Sequence, residues 1–214
     1  MTDAITVPDH AETAEQAFER YRAFYDSGRL IQSQWHVEAD GRQLACGLGV
    51  IGDEVDSPSD CPSAIMPRWL AQMVPWFFDS QKPEDAFAWG LDFYAELKRL
   101  NGVVPFSVVY DWQSSVVGPF AVETAEKHKR DPAPAKALAE IQWKALTGEK
   151  FSRDEWHAHF LAAYKQAYLA RYADANAYAN ADAYANADAY KKSITRLAAG
   201  MVECLKRVST DEPS

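Results

Sequence analysis

The sequence has few cysteines, and no two of them lie close together. Cys46, Cys61 and Cys204 are widely spaced and form no CxxC pair. Disulfide frameworks and structural zinc sites use even sets of cysteines at short, regular spacings. The sequence therefore predicts reduced thiols, and we expect neither a structural metal nor a cofactor.

Long apolar runs and an excess of positive charge are also missing. No stretch approaches the roughly 18 apolar residues that a membrane span needs, and the first residues, MTDAITVPDHAETAEQ, lack the regions of a secretion signal. The chain carries 31 acidic and 22 basic side chains, a net charge of −9 at pH 7. This balance repels phosphate backbones and anionic lipids, so we expect a cytoplasmic protein without a nucleic-acid or membrane partner.

The composition is that of a folded, mainly α protein. Hydrophobic residues make up 48% of the chain and aromatic residues 13%, with seven tryptophans. We expect a compact multi-helix bundle, or a short helical-repeat array, with a long Ala-rich C-terminal helix. One domain is predicted, with a helical part at 13–131, an Ala-rich helical part at 132–208, and flexible ends at 1–12 and 209–214.

Apolar residues at helical spacing predict most of the helices. Helices are expected from Thr13 to a stop at Gly28, from Pro67 with a bend at Pro75, from Pro83 to Asn101-Gly102, and from Ala135 to Leu146.

Two segments remain open between strand and helix. Asp40-Gly41 could turn a β-hairpin near 35–50, although helix is favoured for the second half of 29–52. The segment 103–117 is rich in β-branched residues, as strands are, but Val109, Trp112 and Val116 share one helical face.

A repeat of AYANAD dominates the C-terminal part. Every odd position from Ala173 to Ala189 is alanine. The tract could form a strand, a disordered segment or a helix, and helix is favoured because alanine has the highest helix propensity. Faces of small residues let two helices approach closely, so a homodimer is one expectation.

Motifs that could carry catalysis are weak. Gly47 to Gly52 matches GxGxxG, but Asp53, Glu54 and Asp56 follow where a pyrophosphate would sit, so a packing segment is the favoured interpretation. Glu155, His157 and His159 do not share one helical face, which argues against a metal site. No catalytic residue is assigned.

One concentrated basic run, Lys127-His128-Lys129-Arg130, stands at an expected helix C-terminus. The helix dipole favours cations at that end, which explains the run without a ligand. The alternative is an anion site in which Tyr110 or Trp112 stacks on a base.

Two patches resemble a known family. Cys61-Pro62, then MPRWLA from Met66 and VPWFFD from Val74, are similar to the first-half signature of immunity proteins found in bacterial and phage genomes. The stretch from Ala145 through Trp156 into the alanine-rich tract resembles the junction in the same proteins. The resemblance implies a helical, non-enzymatic protein that acts by binding.

The expected function is stoichiometric neutralisation of a protein toxin or defence effector. One alternative is a phage anti-defence sponge that sequesters a small nucleotide-like signal, and another is an unrecognised hydrolase that needs histidines and carboxylates in one cleft. The candidate ligand-binding residues are Arg42, Arg68, Tyr110, Trp112, Lys129 and Arg130.

Overall fold

The computed structural model describes residues 9–163, 165 and 183–210, and within them the chain is mainly helical with one antiparallel hairpin. The helices are α1 Ala14–Asp26, α2 Arg68–Ala71, α3 Val74–Asp79, α4 Pro83–Arg99, α5 Ser107–Trp112, α6 Gly118–Lys127, α7 Ala133–Leu146, α8 at 153–163 and α9 Ala183–Lys206. The strands are β1 His36–Ala39 and β2 Arg42–Ala45, and short 3-10 turns cover Gly49–Ile51 and Pro58–Asp60.

The chain divides into two compact units. The first unit combines Met1–Val104 with Lys191–Ser214, and the second unit is Pro105–Tyr190. The joint predicted between 131 and 132 thus falls inside the second unit.

The core of the first unit forms where α1 packs on α4. Thr13 and Gln16 form a capping box that starts α1, and Gly28 in the left-handed region follows its end, as predicted. The Tyr21 ring stacks on Tyr94 with 4.9 Å between ring centroids, and both rings are almost fully buried. These helices provide the apolar base on which the hairpin and its following loop rest.

The helix expected from Pro67 is broken in two rather than bent. Helix α2 ends at Ala71 and α3 begins at Val74, with Pro75 in its first turn. Proline lacks the N–H that would bond back to an earlier carbonyl, so it fits the first turn of a new helix better than the interior of a long one.

The hairpin alternative is confirmed, and the helix favoured for the second half of 29–52 is wrong. Asp40 and Gly41 both have positive φ, 53° and 67°, as the two central residues of a type I′ turn require. The turn pairs His36 with Ala45 and Ala39 with Arg42. Only the 3-10 turn Gly49–Ile51 is helical in the rest of that segment.

The second unit is built from α5 to α8 and resolves the other open segment as helix. Helix α5 continues through a π-helical stretch, Gln113–Val117, into α6. Pro119 has no N–H to offer the carbonyl of Ser115, and Gly118 instead donates to the carbonyl of Gln113, five residues back. The chain accommodates proline by widening one turn.

The long C-terminal helix is confirmed for the residues that the structure describes. Helix α9 begins within the last AYANAD repeat and passes through Gly200 to Lys206. The earlier part of the repeat tract, from 173 to 182, lies outside the described residues. A Ser152–Glu155 capping box starts α8: Glu155 accepts a 2.8 Å bond from the Ser152 N–H, and the Ser152 hydroxyl accepts from the Glu155 N–H at 3.3 Å. None of the described helices combines the length and the apolar character needed to cross a bilayer.

Candidate protein-binding surface

The first unit concentrates negative charge on the hairpin and the loop after it. Between residues 36 and 60 six carboxylate side chains are exposed, and we call them the acidic surface: Glu38, Asp40, Asp53, Glu54, Asp56 and Asp60. Arg42 is the one basic residue of that segment. The acidic surface follows from local folding, because the type I′ turn and the glycine-rich loop place these polar stretches outward.

The strand register separates Arg42 from the hairpin carboxylate. Glu38 pairs with Gln43 and His36 pairs with Ala45, so these residues share one face of the hairpin. Arg42 pairs with Ala39, one position along, and therefore belongs to the opposite face. The hairpin consequently has one face with a carboxylate and another with a guanidinium.

A groove of about 490 Å³ lies against the carboxylate-bearing face. Its walls are His36, Val37, Glu38, Gly41, Gln43 and Asp53. Two hydrogen bonds tie the hairpin to the loop across this groove: Gln43 Nε2 donates to Asp53 Oδ1 at 2.6 Å, and His36 Nε2 donates to the Gly49 carbonyl at 2.8 Å. Since a carbonyl only accepts, the proton of His36 lies on Nε2.

A buried cation supports the loop from below. Arg20 on α1 is 6% exposed, and its Nε donates to the Val50 carbonyl at 2.5 Å. Burial lowers the pKa of Arg20, while the nearby Asp53 carboxylate raises it. Arginine stays protonated at neutral pH, so its charge helps to hold the Asp53 side of the acidic surface in place.

Further contacts fix the rest of the loop. A hydrogen bond from the Ser57 hydroxyl, 2.8 Å from Asp60 Oδ2, lowers the pKa of Asp60 and keeps it ionised. His10 Nδ1 lies 3.0 Å from Glu54 Oε1. Three of the six carboxylates, Asp53, Glu54 and Asp60, are therefore held by side-chain partners.

The glycines of the GxGxxG match pack closely against neighbouring residues. A Cβ on Gly47 would lie 2.8 Å from the Phe78 ring, one on Gly49 would lie 2.2 Å from the Trp35 carbonyl, and one on Gly52 would lie 2.1 Å from His10. The segment follows a short antiparallel strand and leads into a 3-10 turn. The packing interpretation is confirmed.

The two candidate arginines of the first unit lie outside this groove. Arg42 is exposed on the opposite hairpin face. Arg68 is exposed at the start of α2, where its Nη2 donates to the Ser59 hydroxyl at 3.3 Å. The structure thus shows a local structural partner for Arg68, and neither arginine lines the groove beside the hairpin.

The four candidates of the second unit do not form one small-molecule site. Trp112 is 5% exposed, so its ring faces are covered, and Tyr110 stacks on Trp156 at 5.8 Å between ring centroids. Lys129 and Arg130 follow the far end of the same helical run. Tyr110 and Lys127 are 17 helical residues apart along that run, about 25 Å at 1.5 Å per residue.

Nucleophilic and metal chemistry find little support among the described residues. The three cysteines remain thiols, as predicted. Burial raises the pKa of Cys46 and raises that of Cys61 to about 12, so both stay protonated at neutral pH. Within the ranges that the structure describes, no three side chains of histidine, cysteine, aspartate or glutamate group as metal ligands.

Comparison with known proteins assigns this chain to no family. No family model matches the chain, and neither the curated proteins nor the solved structures contain a match.

The groove residues Gln43 and Asp53 were not among the candidates from the sequence. The only sequence pattern that pointed to this arrangement was Asp40-Gly41, because a type I′ turn there fixes which residues pair across the hairpin. The approach of Asp53 to Gln43 depends on how the intervening loop packs, and no local sequence pattern encodes that packing.

Proposed function

We propose that this chain is a non-enzymatic binding protein of bacterial or phage conflict, which neutralises a basic toxin or defence effector by stoichiometric binding. The acidic surface of the first unit carries this proposal. Its six exposed carboxylates lie in a segment, residues 36 to 60, whose one basic residue, Arg42, is placed by the register on the other face of the hairpin.

Charge distribution supports a basic protein as the partner. The first unit carries 20 acidic and 13 basic residues, whereas the second carries 11 and 9. Opposite potentials across an interface speed association and exclude partners of like charge. A fixed acidic surface on the more acidic unit therefore favours a cationic protein surface, such as the nucleic-acid-binding face of a nuclease.

The resemblance of Cys61-Pro62 and the MPRWLA and VPWFFD stretches to immunity proteins supports the same proposal. Those residues lie directly after the acidic surface in the chain, and they fold into the helices α2 and α3 of the first unit.

The sponge alternative receives less support. A nucleotide-like ligand needs cations and an exposed ring face in one pocket. Of the candidate ligand-binding residues in the second unit, Trp112 is buried. Tyr110 lies about 25 Å along the helical run from Lys127, and Lys129 follows two positions after Lys127. The groove that the first unit does form is lined by carboxylates, which repel phosphate.

Growth rescue tests the proposed function. The full chain is co-expressed in bacteria with an arrayed set of toxins and phage-defence effectors, and growth is scored with and without the chain. A variant with Glu38→Gln, Asp53→Asn and Asp56→Asn should lose rescue, because it removes three charges of the acidic surface.

A matched control removes three exposed charges elsewhere in the first unit. Glu12→Gln, Asp26→Asn and Asp92→Asn change the net charge equally and lie outside the acidic surface. The control should keep rescue. Equal loss in both triple variants would show that net charge alone matters, and absence of rescue across the whole set would reject the proposal.

A further inference from the structure

The outer edge of β1 is open for another strand. The Cys46 N–H donates to the Trp35 carbonyl at 3.1 Å, which makes positions 35 and 46 a hydrogen-bonded pair. Such pairs alternate along an antiparallel ladder, so positions 37 and 39 of β1 point their N–H and C=O groups at β2. His36 and Glu38 therefore point theirs away from β2.

The outer edge of β2 is already hydrogen-bonded at Ala45, the residue that pairs with His36. Ala45 donates to the Arg29 carbonyl at 3.0 Å and accepts from the Ile31 N–H at 3.0 Å. Among the described residues, the backbone groups of His36 and Glu38 have no such partner. The two sides of the hairpin thus differ, and β1 is its unpaired edge.

The groove runs along the outer edge of β1 and is lined by negatively charged side chains. Three consecutive residues of β1, from His36 to Glu38, line it, so it runs along the strand and not only over one face. Glu38 and Asp53 are its carboxylates, and Asp53 is fixed by Gln43. An extended chain laid along β1 would place every second side chain beside this negative wall.

From this arrangement we infer that β1 binds an extended basic segment of the partner protein as a third strand of the hairpin. Backbone groups of His36 and Glu38 bond to that segment, and a lysine or arginine opposite Glu38 lies on the groove face. The main-chain bonds give affinity, and the carboxylates select the charge. This inference rests on the proposed function, because it names the partner segment that the acidic surface receives.

Hydrogen exchange with synthetic peptides tests the inference on the full chain without a natural partner. The probe is a ten-residue peptide that alternates lysine with threonine. Its binding should slow amide exchange of His36 and Glu38 by about tenfold, whereas the Val37 amide, already bonded to β2, should change little. A matching peptide of glutamate and threonine should have no effect.

Two controls separate strand addition from simple charge attraction. A lysine–threonine peptide with alternate amides N-methylated keeps its charge but cannot bond on one edge, so it should lose the protection. Glu38→Gln should weaken binding while keeping protection at saturation, and Glu38→Pro, which removes the outward N–H, should abolish it; thermal unfolding checks that both variants fold.

Equal binding of the methylated peptide, or binding without protection at His36 and Glu38, would overturn the inference. Failure of the lysine–threonine peptide to bind would also overturn it and would assign Glu38 the role of a charge that blocks unwanted edge pairing. Growth rescue is scored separately, so either result leaves the test of the proposed function intact.

Discussion

The indole Nε1 of Trp89 on α4 donates a 3.0 Å hydrogen bond to the carbonyl of Ala198 on α9, 109 positions later in the chain. At the C-terminal end of α4, Arg99 donates to the carbonyls of Leu205, in the last turn of α9, and of Val208, just after it. The C-terminal segment therefore completes the first unit, and its docking on α4 depends on a buried aromatic side chain.

Trp89→Phe should lower the free energy of unfolding by about 1–2 kcal/mol, because it removes this bond and leaves space where the indole packed. Urea unfolding followed by circular dichroism measures the change. Trp143→Phe is the control, since Trp143 is 56% exposed and its loss should cost little. Similar losses in both variants would contradict the importance of the contact with Ala198.

Gly49→Ala should destabilise the protein by about 2–3 kcal/mol, since the added Cβ would lie 2.2 Å from the Trp35 carbonyl, a backbone atom that cannot move alone. Gly28→Ala has open space and a φ of 64°, so it should cost only about 1 kcal/mol of backbone strain. Denaturant midpoints of the two variants give the comparison. The reverse order would show that the glycine-rich loop is not closely packed.

Lys129→Gly should stabilise the protein by about 1 kcal/mol. Lys129 has a φ of 53° where the chain leaves α6, and the Arg130 N–H reaches back to the Ala125 carbonyl at 2.8 Å, a helix ending that favours glycine. Lys127→Gly, inside the last turn of α6, should instead destabilise by about 0.5–1 kcal/mol. Thermal unfolding of both variants checks the opposite signs.

Cys61 should make the fold sensitive to alkaline pH. Burial raises the pKa of Cys61 from 9.0 to about 12, so between pH 9 and 12 the unfolded chain releases a proton that the folded chain keeps. The free energy of unfolding should therefore fall with rising pH in that window, by ~1 kcal/mol per pH unit from this thiol. Burial also raises the pKa values of Tyr21 and Tyr94, which add to the loss.

Cys61→Ala isolates the contribution of the thiol. Stability of the wild type and of this variant is measured by urea unfolding at several pH values from 8 to 11. The variant should show the shallower decline, since Cys46 and the two tyrosines still contribute but Cys61 does not. Parallel declines would mean that the Cys61 thiol ionises as readily in the folded chain as in the unfolded one.

Helices with clear caps and breakers were predictable from the sequence. The starts at Thr13 and Pro83 and the stops at Gly28 and Asn101-Gly102 appear as expected, because such residues act on backbone bonds within a few positions. The hairpin was harder, because Leu44, Leu48 and Ile51 also fit helical spacing. The positive φ of Asp40 and Gly41 favours the hairpin over the helix.

Only the negative charge of the candidate surface was predictable from the sequence. The acidic balance of the chain suits a basic partner, but the candidates from the sequence were cations and aromatic rings chosen for a nucleotide-like ligand. Which carboxylates meet depends on the pairing of Glu38 with Gln43 and on the bond from Gln43 to Asp53 across the loop. Contacts of this kind arise from tertiary packing and leave no periodic pattern in the sequence.

The central claim is that the acidic surface binds a basic protein. The most direct measurement is the dissociation constant for an effector found by growth rescue, determined by calorimetry at ~0.15 M ionic strength. We predict that the triple variant Glu38→Gln, Asp53→Asn and Asp56→Asn binds at least about 100-fold more weakly, and that added salt weakens the wild-type complex. The control triple variant at Glu12, Asp26 and Asp92 should bind within about threefold of the wild type. Equal affinity of the two triple variants would contradict the account.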